Sequence, residues 1–155
     1  MDDKSFSINK NHLVVSGEFK NLRKIRKFIE KFSKLAGFGE DDTYKIQLAV
    51  DEACTNIIQH GYGGENRGEI ECSCSYTDED FVVLLQDKGR SFNIDSVSNP
   101  DTKTNLENRP VGGLGVYFIR KLMDRIIYRS NPILGGDNEK NVINQLYLIK
   151  RRQSK

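Results

Sequence analysis

The chain has no tryptophan, only three prolines, two histidines and three cysteines, and these shortages close off whole classes of chemistry. Cys54, Cys72 and Cys74 are an odd number at no metal-binding spacing, and two histidines cannot complete a zinc site with them. Cys72 and Cys74 lie two apart on an expected strand, where they share a face and would be strained by a mutual disulfide, so reduced thiols are expected. No apolar run reaches the roughly 18 residues of a membrane span. The start, "MDDKSFSINK", is acidic and polar where a signal peptide would be basic and then apolar. No membrane association is expected, and a cytoplasmic location is. A net charge of only +2 is too balanced for a dedicated nucleic-acid binder, so no direct nucleic-acid partner is expected. There are no internal repeats.

What is present is the profile of one globular domain spanning 1–155. Charged residues make up 30% and hydrophobic ones 37%, with eight Phe and six Tyr, and a chain this long buries roughly 70% of its unfolded surface. Short strands are expected at Phe6 to Ile8 and His12 to Ser16. Leu22, Ile25, Phe28, Ile29, Phe32 and Leu35 then recur at spacings of three and four, an amphipathic helix that stops near Gly37. Its outer face carries Lys20, Arg23, Lys24, Arg26, Lys27, Lys31 and Lys34 against Glu30, and a solvated face is the expected reading. A second helix opens at "EDDTYK", with Asp41 or Asp42 as its cap, and closes before Gly61. "EIECSCSY" and "FVVLLQD" read as a hairpin joined by "TDED". Residues 88–111 are polar and irregular, and a structureless stretch of that length in a compact domain is functional or disordered. "GGLGVYFIRKLMD" starts a third helix, "RIIYRS" and "VINQLYLIK" are strands, "NPILGGDNEKN" between them is a turn, and the tail "RRQSK" frays. The expected fold is α+β, a two-layer sandwich with a mixed, mostly antiparallel sheet and helices on one face.

Three places carry chemistry. On the second helix, Ile46, Ala49, Val50, Ala53 and Ile57 form the apolar stripe, and Glu52, Asn56 and His60 follow one flank of it at intervals of four. A flank can face a cavity rather than open water: a carboxylate there can take a proton, and an amide oxygen can ligate Mg²⁺. "VVLLQDKGRSFN" runs a buried strand into Asp87, with Gly89 two residues on, which by itself is a common turn. "RPVGGLGVYFIRKLMD" puts Gly112, Gly113 and Gly115 where a helix begins and backbone N–H groups are free for phosphate oxygens. It is neither a Walker loop nor a dinucleotide fingerprint.

In order and spacing, these three stretches resemble the ATP-binding superfamily of gyrase, MutL and the histidine kinases, and within it the bacterial anti-sigma-factor serine/threonine kinases. The resemblance runs from about Leu22 to Lys150, through "DEACTNIIQHGY", "DKGRSFN" and "RPVGGLGVYFIRKLMD". It implies a histidine kinase-like ATPase fold with a flexible ATP lid at about 88–111, using ATP and Mg²⁺. Glu52 would be the general base for a seryl or threonyl hydroxyl. Asn56 would ligate the metal, and His60 would shape the pocket. Asp87 would accept from the adenine amino group, with Gly89 clearing space beside the base. Gly112, Gly113, Leu114 and Gly115 would hold phosphates, and Arg109 would reach the γ-phosphate or pair with lid acids. The implied function is an anti-sigma factor that binds a sigma factor and phosphorylates a serine on a small anti-anti-sigma antagonist, with a homodimer allowed by the family. A catalytically silent ATP-binding switch and a histidine-kinase-type domain working in trans are the alternatives. The pattern is departed from twice. Ser91 stands where the wider superfamily commonly has a second glycine in the adenine box, although Arg-Ser-Phe variants are familiar in the small-kinase branch, and Asn144 in a polar turn stands in place of a closing Gly-Thr element, so weaker ATP binding is implied.

Overall fold

The computed structural model describes residues 11–91, 113–133 and 141–152. The expected strand at Phe6 to Ile8, most of the lid, the turn between the last two strands and the end of the tail lie outside them.

Five strands form one sheet: β1 (His12–Ser16), β2 (Glu69–Tyr76), β3 (Asp80–Asp87), β4 (Arg125–Pro132) and β5 (Val142–Arg151), in the spatial order β1-β2-β3-β5-β4. All four pairings are antiparallel, so the mixed component of the expected sheet is not found among the described residues. Alternation along the strands makes one face apolar: Ile70, Cys72 and Cys74 of β2, Phe81, Val83 and Leu85 of β3, and Leu146 and Leu148 of β5 are all buried. The three thiols are free, as expected. Polar residues end this stripe on both central strands, with Asp87 on β3 and Asn144 and Lys150 on β5, and all three are buried.

Three helices cover that face: α1 (Leu22–Leu35), α2 (Glu40–Asn56) and α3 (Gly113–Leu122). A 3-10 turn at Phe19–Asn21 leads into α1, which buries Leu22, Ile25, Ile29 and Phe32. It ends as expected, because Gly37 adopts a φ of 87° while its N–H donates to Lys34 O and that of Phe38 donates to Ser33 O. This is the paired closure that a left-handed glycine permits. Leu35 departs from the expected stripe; it falls past the packed turn and is 62% exposed. The outer cations of α1 are exposed, two of them in ion pairs, Arg26 with Asp51 at 2.8 Å and Lys34 with Glu30 at 2.7 Å.

The start of α2 corrects the expected cap. The N-cap is Gly39, with no side-chain hydrogen bond, and Glu40, Asp41 and Asp42 occupy the first turn. From there the acids act through the positive end of the helix dipole rather than by capping. The far end is also unusual. After Asn56 the backbone widens into a π turn over Ile57–Gly61, with Tyr62 N–H donating five residues back to Ile57 O at 2.8 Å. Such turns gather at functional sites.

Helix α3 is fastened at its C-terminal end. Lys150 Nζ donates to Leu122 O at 3.0 Å and lies 3.7 Å from Asp124, which places a cation on the negative end of the helix.

Candidate functional site

The expected apolar stripe of α2 is observed: Ile46, Ala49, Val50, Ala53 and Ile57 are all buried. Glu52 and Asn56 flank it where α3 approaches. The contact point is Gly115, in the first turn of α3. A Cβ built on it would lie 2.9 Å from Glu52 Oε2, and 3.6 and 3.8 Å from the two amide atoms of Asn56. The unpaired N–H groups of a helix start are therefore brought against a carboxylate and an amide.

Neither polar side chain is used structurally. Among the described residues, none is hydrogen-bonded to the Asn56 amide or to the Glu52 carboxylate. Asn56 is largely buried as a residue, but its amide atoms are not sealed off; the buried side-chain atoms without a partner among the described residues are Asp51 Oδ1 and Asp80 Oδ1. The pKa of Glu52 is raised, chiefly by burial and secondarily by the neighbouring Asp51 carboxylate, as befits a proton acceptor working nearer neutral pH than an ordinary glutamate.

Asp87 faces the same space from the sheet. A small inner cavity of about 30 Å³ is lined by Ala53, Asn56, Ile57, Asp87, Ile119, Tyr128 and Leu146, so α2, α3, the end of β3 and the middle of β4 and β5 meet there. Asp87 Oδ1 accepts from Gly89 N–H at 2.9 Å and from Asn144 Nδ2 at 3.0 Å. Burial raises the Asp87 pKa, and these two donors partly offset the rise. A larger groove of about 570 Å³ opens on the other face of the sheet, between Tyr62, Arg67, Glu69, Glu71, Gln86 and Lys88. It shares only Asp87 with the inner cavity and includes neither α2 nor α3 residues.

Gly89 is required by packing. A Cβ there would come within 2.7 and 2.8 Å of the backbone carbon and oxygen of Gly61, and Arg90 N–H donates to Gly61 O at 2.7 Å. The space its missing side chain leaves is thus filled by the end of the π turn, which locks the loop after β3 onto α2. Tyr62 adds a second strut. Its hydroxyl accepts from Lys88 N–H at 2.9 Å and donates to Glu69 O at 2.6 Å.

Of the residues expected from sequence, Glu52, Asn56 and Gly115 come together, and Asp87 shares the cavity with Asn56. Gly113 begins α3. Arg109 and Gly112 lie outside the described residues, as does the side chain of Leu114. His60 is half-buried within the π turn and does not line the inner cavity; the wider turn interrupts the regular spacing that would have kept it in line with Glu52 and Asn56. Two residues were missed. Tyr128 read only as part of a strand, yet it lines the cavity and donates to Asn144 Oδ1 at 3.1 Å. Asn144 read as a departure from a pattern, yet it holds Asp87; the available signal was an amide beginning an alternating stripe otherwise made of Leu146 and Leu148.

Residues 15–143 match the family described as the histidine kinase-like ATPase domain. The serine-protein kinase RsbW of Bacillus velezensis is 30% identical over 131 residues, 82% of each chain. The protein of the same name from Bacillus mycoides is 37% identical over 94 residues, 58% of each. Among solved structures, a chain in the crystal structure of the SiaB-SiaC complex from Pseudomonas aeruginosa shares the fold at a TM-score of 0.62 and 13% identity, over 96% of this chain and 98% of that one.

Proposed function

Because the chain belongs to the histidine kinase-like ATPase domain family, with RsbW serine-protein kinases among its relatives, we propose that it is an ATP-dependent serine/threonine kinase of the partner-switching kind. In this reading it binds a sigma factor as an anti-sigma factor and phosphorylates a serine on a small antagonist protein. The observation that carries the reading is the approach of Gly115 to Glu52 and Asn56, with Asp87 on the wall of the cavity that Asn56 shares.

Phosphoryl transfer asks for positioning and charge neutralisation more than for covalent chemistry. Asp87 accepts from the amino group of the adenine through the oxygen left free by Gly89 and Asn144. The first turn of α3 supplies backbone donors to the phosphates. Asn56 fits a metal with few protein ligands, since no described residue hydrogen-bonds its amide, which stays accessible to a ligand, and Mg²⁺ takes its remaining ligands from phosphates and water. When bound, Mg²⁺ would neutralise charge on the phosphate oxygens. Glu52 receives the proton of the attacking hydroxyl, and the lack of any hydrogen bond to its carboxylate from the described residues favours this reading over a silent nucleotide switch. A purine exceeds the present inner cavity, so α3 moves outward from α2 as nucleotide enters.

The test is transfer of labelled γ-phosphate from ATP to a serine of the antagonist protein, with ATP affinity measured by calorimetry. ATP binding without transfer to any antagonist would leave the silent switch; no ATP binding would end both.

A further inference from the structure

Helix α2 turns an acid toward each of its two helical neighbours. Glu52 meets α3 at Gly115, and Asp51, one residue earlier, meets α1, where its Oδ2 accepts from Arg26 Nη1 at 2.8 Å. We propose that Asp51 and Arg26 are paired positioning residues: Arg26 holds and shields the Asp51 carboxylate, and the pair thereby sets how readily Glu52 takes up the seryl proton. This rests on the reading of Glu52 as the base and adds to it what governs that base from outside the site.

Arg26 is fixed at two points. Its side chain reaches Asp51, and its main-chain oxygen accepts from Gln47 Nε2 at 2.9 Å. Gln47 and Asp51 are four residues apart and so share the face of α2 that meets α1. The Arg26 side chain is 44% exposed and that of Asp51 24%, so the guanidinium keeps an open side while the carboxylate is mostly withdrawn from water. Asp51 Oδ1 is buried and has no partner among the described residues. The charge is therefore answered by Arg26 through one oxygen, and without Arg26 neither oxygen has a described donor. A withdrawn charge that loses its counter-ion acts unopposed on whatever lies beside it.

What lies beside it is Glu52. The Glu52 pKa is raised first by burial and then by the Asp51 carboxylate, since a like charge disfavours ionisation. Between half-buried groups that field is screened less than at an open surface. The base is faced from α1 by Arg26, by way of Asp51, and from α3 by Gly115, which carries no charge; Asp51 is the described charged group that acts on it. Successive side chains project about 100° apart around a helix, so Asp51 acts on Glu52 from the side that faces α1. A guanidinium on Asp51 cancels much of the repulsion between the two acids, and its removal restores it.

The experiment is a carboxyl-carbon NMR titration of the intact chain, isotopically labelled in its glutamates, with the Glu52 signal identified by its loss in Glu52→Gln. Arg26→Met, which removes the charge and keeps an apolar stem, should raise the Glu52 midpoint by on the order of one pH unit. Arg26→Lys, which keeps the charge, should restore most of the original midpoint. Asp51→Asn should lower it by on the order of half a unit. Adding Arg26→Met to Asp51→Asn should then change little, because a half-exposed guanidinium has nothing left to hold it near Glu52. Folding should survive each change, since half-exposed ion pairs contribute little to stability. The acid limb of phosphoryl transfer, measured at saturating ATP and antagonist, should follow the midpoint, with ATP affinity unchanged. A Glu52 midpoint indifferent to these substitutions would overturn the inference, because a merely structural clamp leaves its neighbour's titration alone; so would an Arg26→Met shift of the same size with and without Asp51. The titration needs neither nucleotide nor antagonist. If the midpoints shift as expected while Glu52→Gln transfers phosphate at full rate, the underlying assignment of the base fails, and the role of the pair fails with it.

Discussion

Gly115 in the first turn of α3 leaves no room for a methyl group beside Glu52, whose Oε2 would lie 2.9 Å from it. The obstructing atom is the tip of a flexible side chain, so a substitution there displaces the carboxylate rather than the backbone. Gly115→Ala is therefore expected to fold normally, with a melting temperature unchanged or higher, since alanine in a helix is worth up to about 1 kcal/mol over glycine. Phosphoryl transfer should fall by on the order of tenfold or more, because a misplaced base loses its geometry. Calorimetric unfolding alongside transfer assays checks both halves, and a fully active alanine variant would place the base elsewhere.

Glu52→Gln should bind ATP as before and lose transfer by roughly 100-fold or more, the usual contribution of a general base. In the unsubstituted protein the acid limb of the pH–rate profile should follow Glu52. Since its pKa is raised, mainly by burial, protonation silences the base at a higher pH than for an ordinary glutamate. The rate is full above that pKa and declines as pH falls through it. An unshifted acid limb, or one that survives in the glutamine variant, would count against Glu52.

Asp87→Asn should separate binding from stability. Burial raises the Asp87 pKa, so the ionised group disfavours the folded state; its effect is absent below the unfolded pKa and grows as pH rises through the folded one. The asparagine variant should lose ATP affinity yet be more stable at neutral pH by on the order of 1 kcal/mol. That gain should fade as the medium is acidified through the raised pKa. Denaturant titrations at several pH values, paired with calorimetry, read both effects; unchanged ATP affinity would remove Asp87 from the site.

Gly89→Ala meets backbone rather than a movable tip, with Gly61 atoms at 2.7 and 2.8 Å from the new carbon. Overpacking of this kind costs about 1–3 kcal/mol, and ATP binding should weaken because the loop after β3 is pushed off the π turn. An alanine variant as stable as the parent in urea would show that this contact yields.

Much of this molecule was legible in one dimension, for identifiable reasons. Periods of two and 3.6 residues fix which side chains can share a face, so the strands from β2 to β5, the stripe of α2 and the stop of α1 at Gly37 could all be read in advance. Glu52, Asn56 and Asp87 could also be singled out as candidates, because a polar residue on the margin of an apolar stripe, or at the end of a buried strand, stands out locally. Capping was not legible. Gly39 and three consecutive acids offer several starts, and which turn closes first depends on how α2 seats against α1.

The sequence by itself thus determined the elements, their buried faces and the residue types able to bind a nucleotide. Tertiary structure alone decided which of them meet. Contacts across the β3–β5 ladder and between α2 and α3 depend on strand register and helix placement, which no local pattern encodes. For that reason the Asn144–Asp87 bond, the hydroxyls of Ser91 and Tyr128 on the same amide, and the π turn that takes His60 out of line could be seen only once the chain was folded.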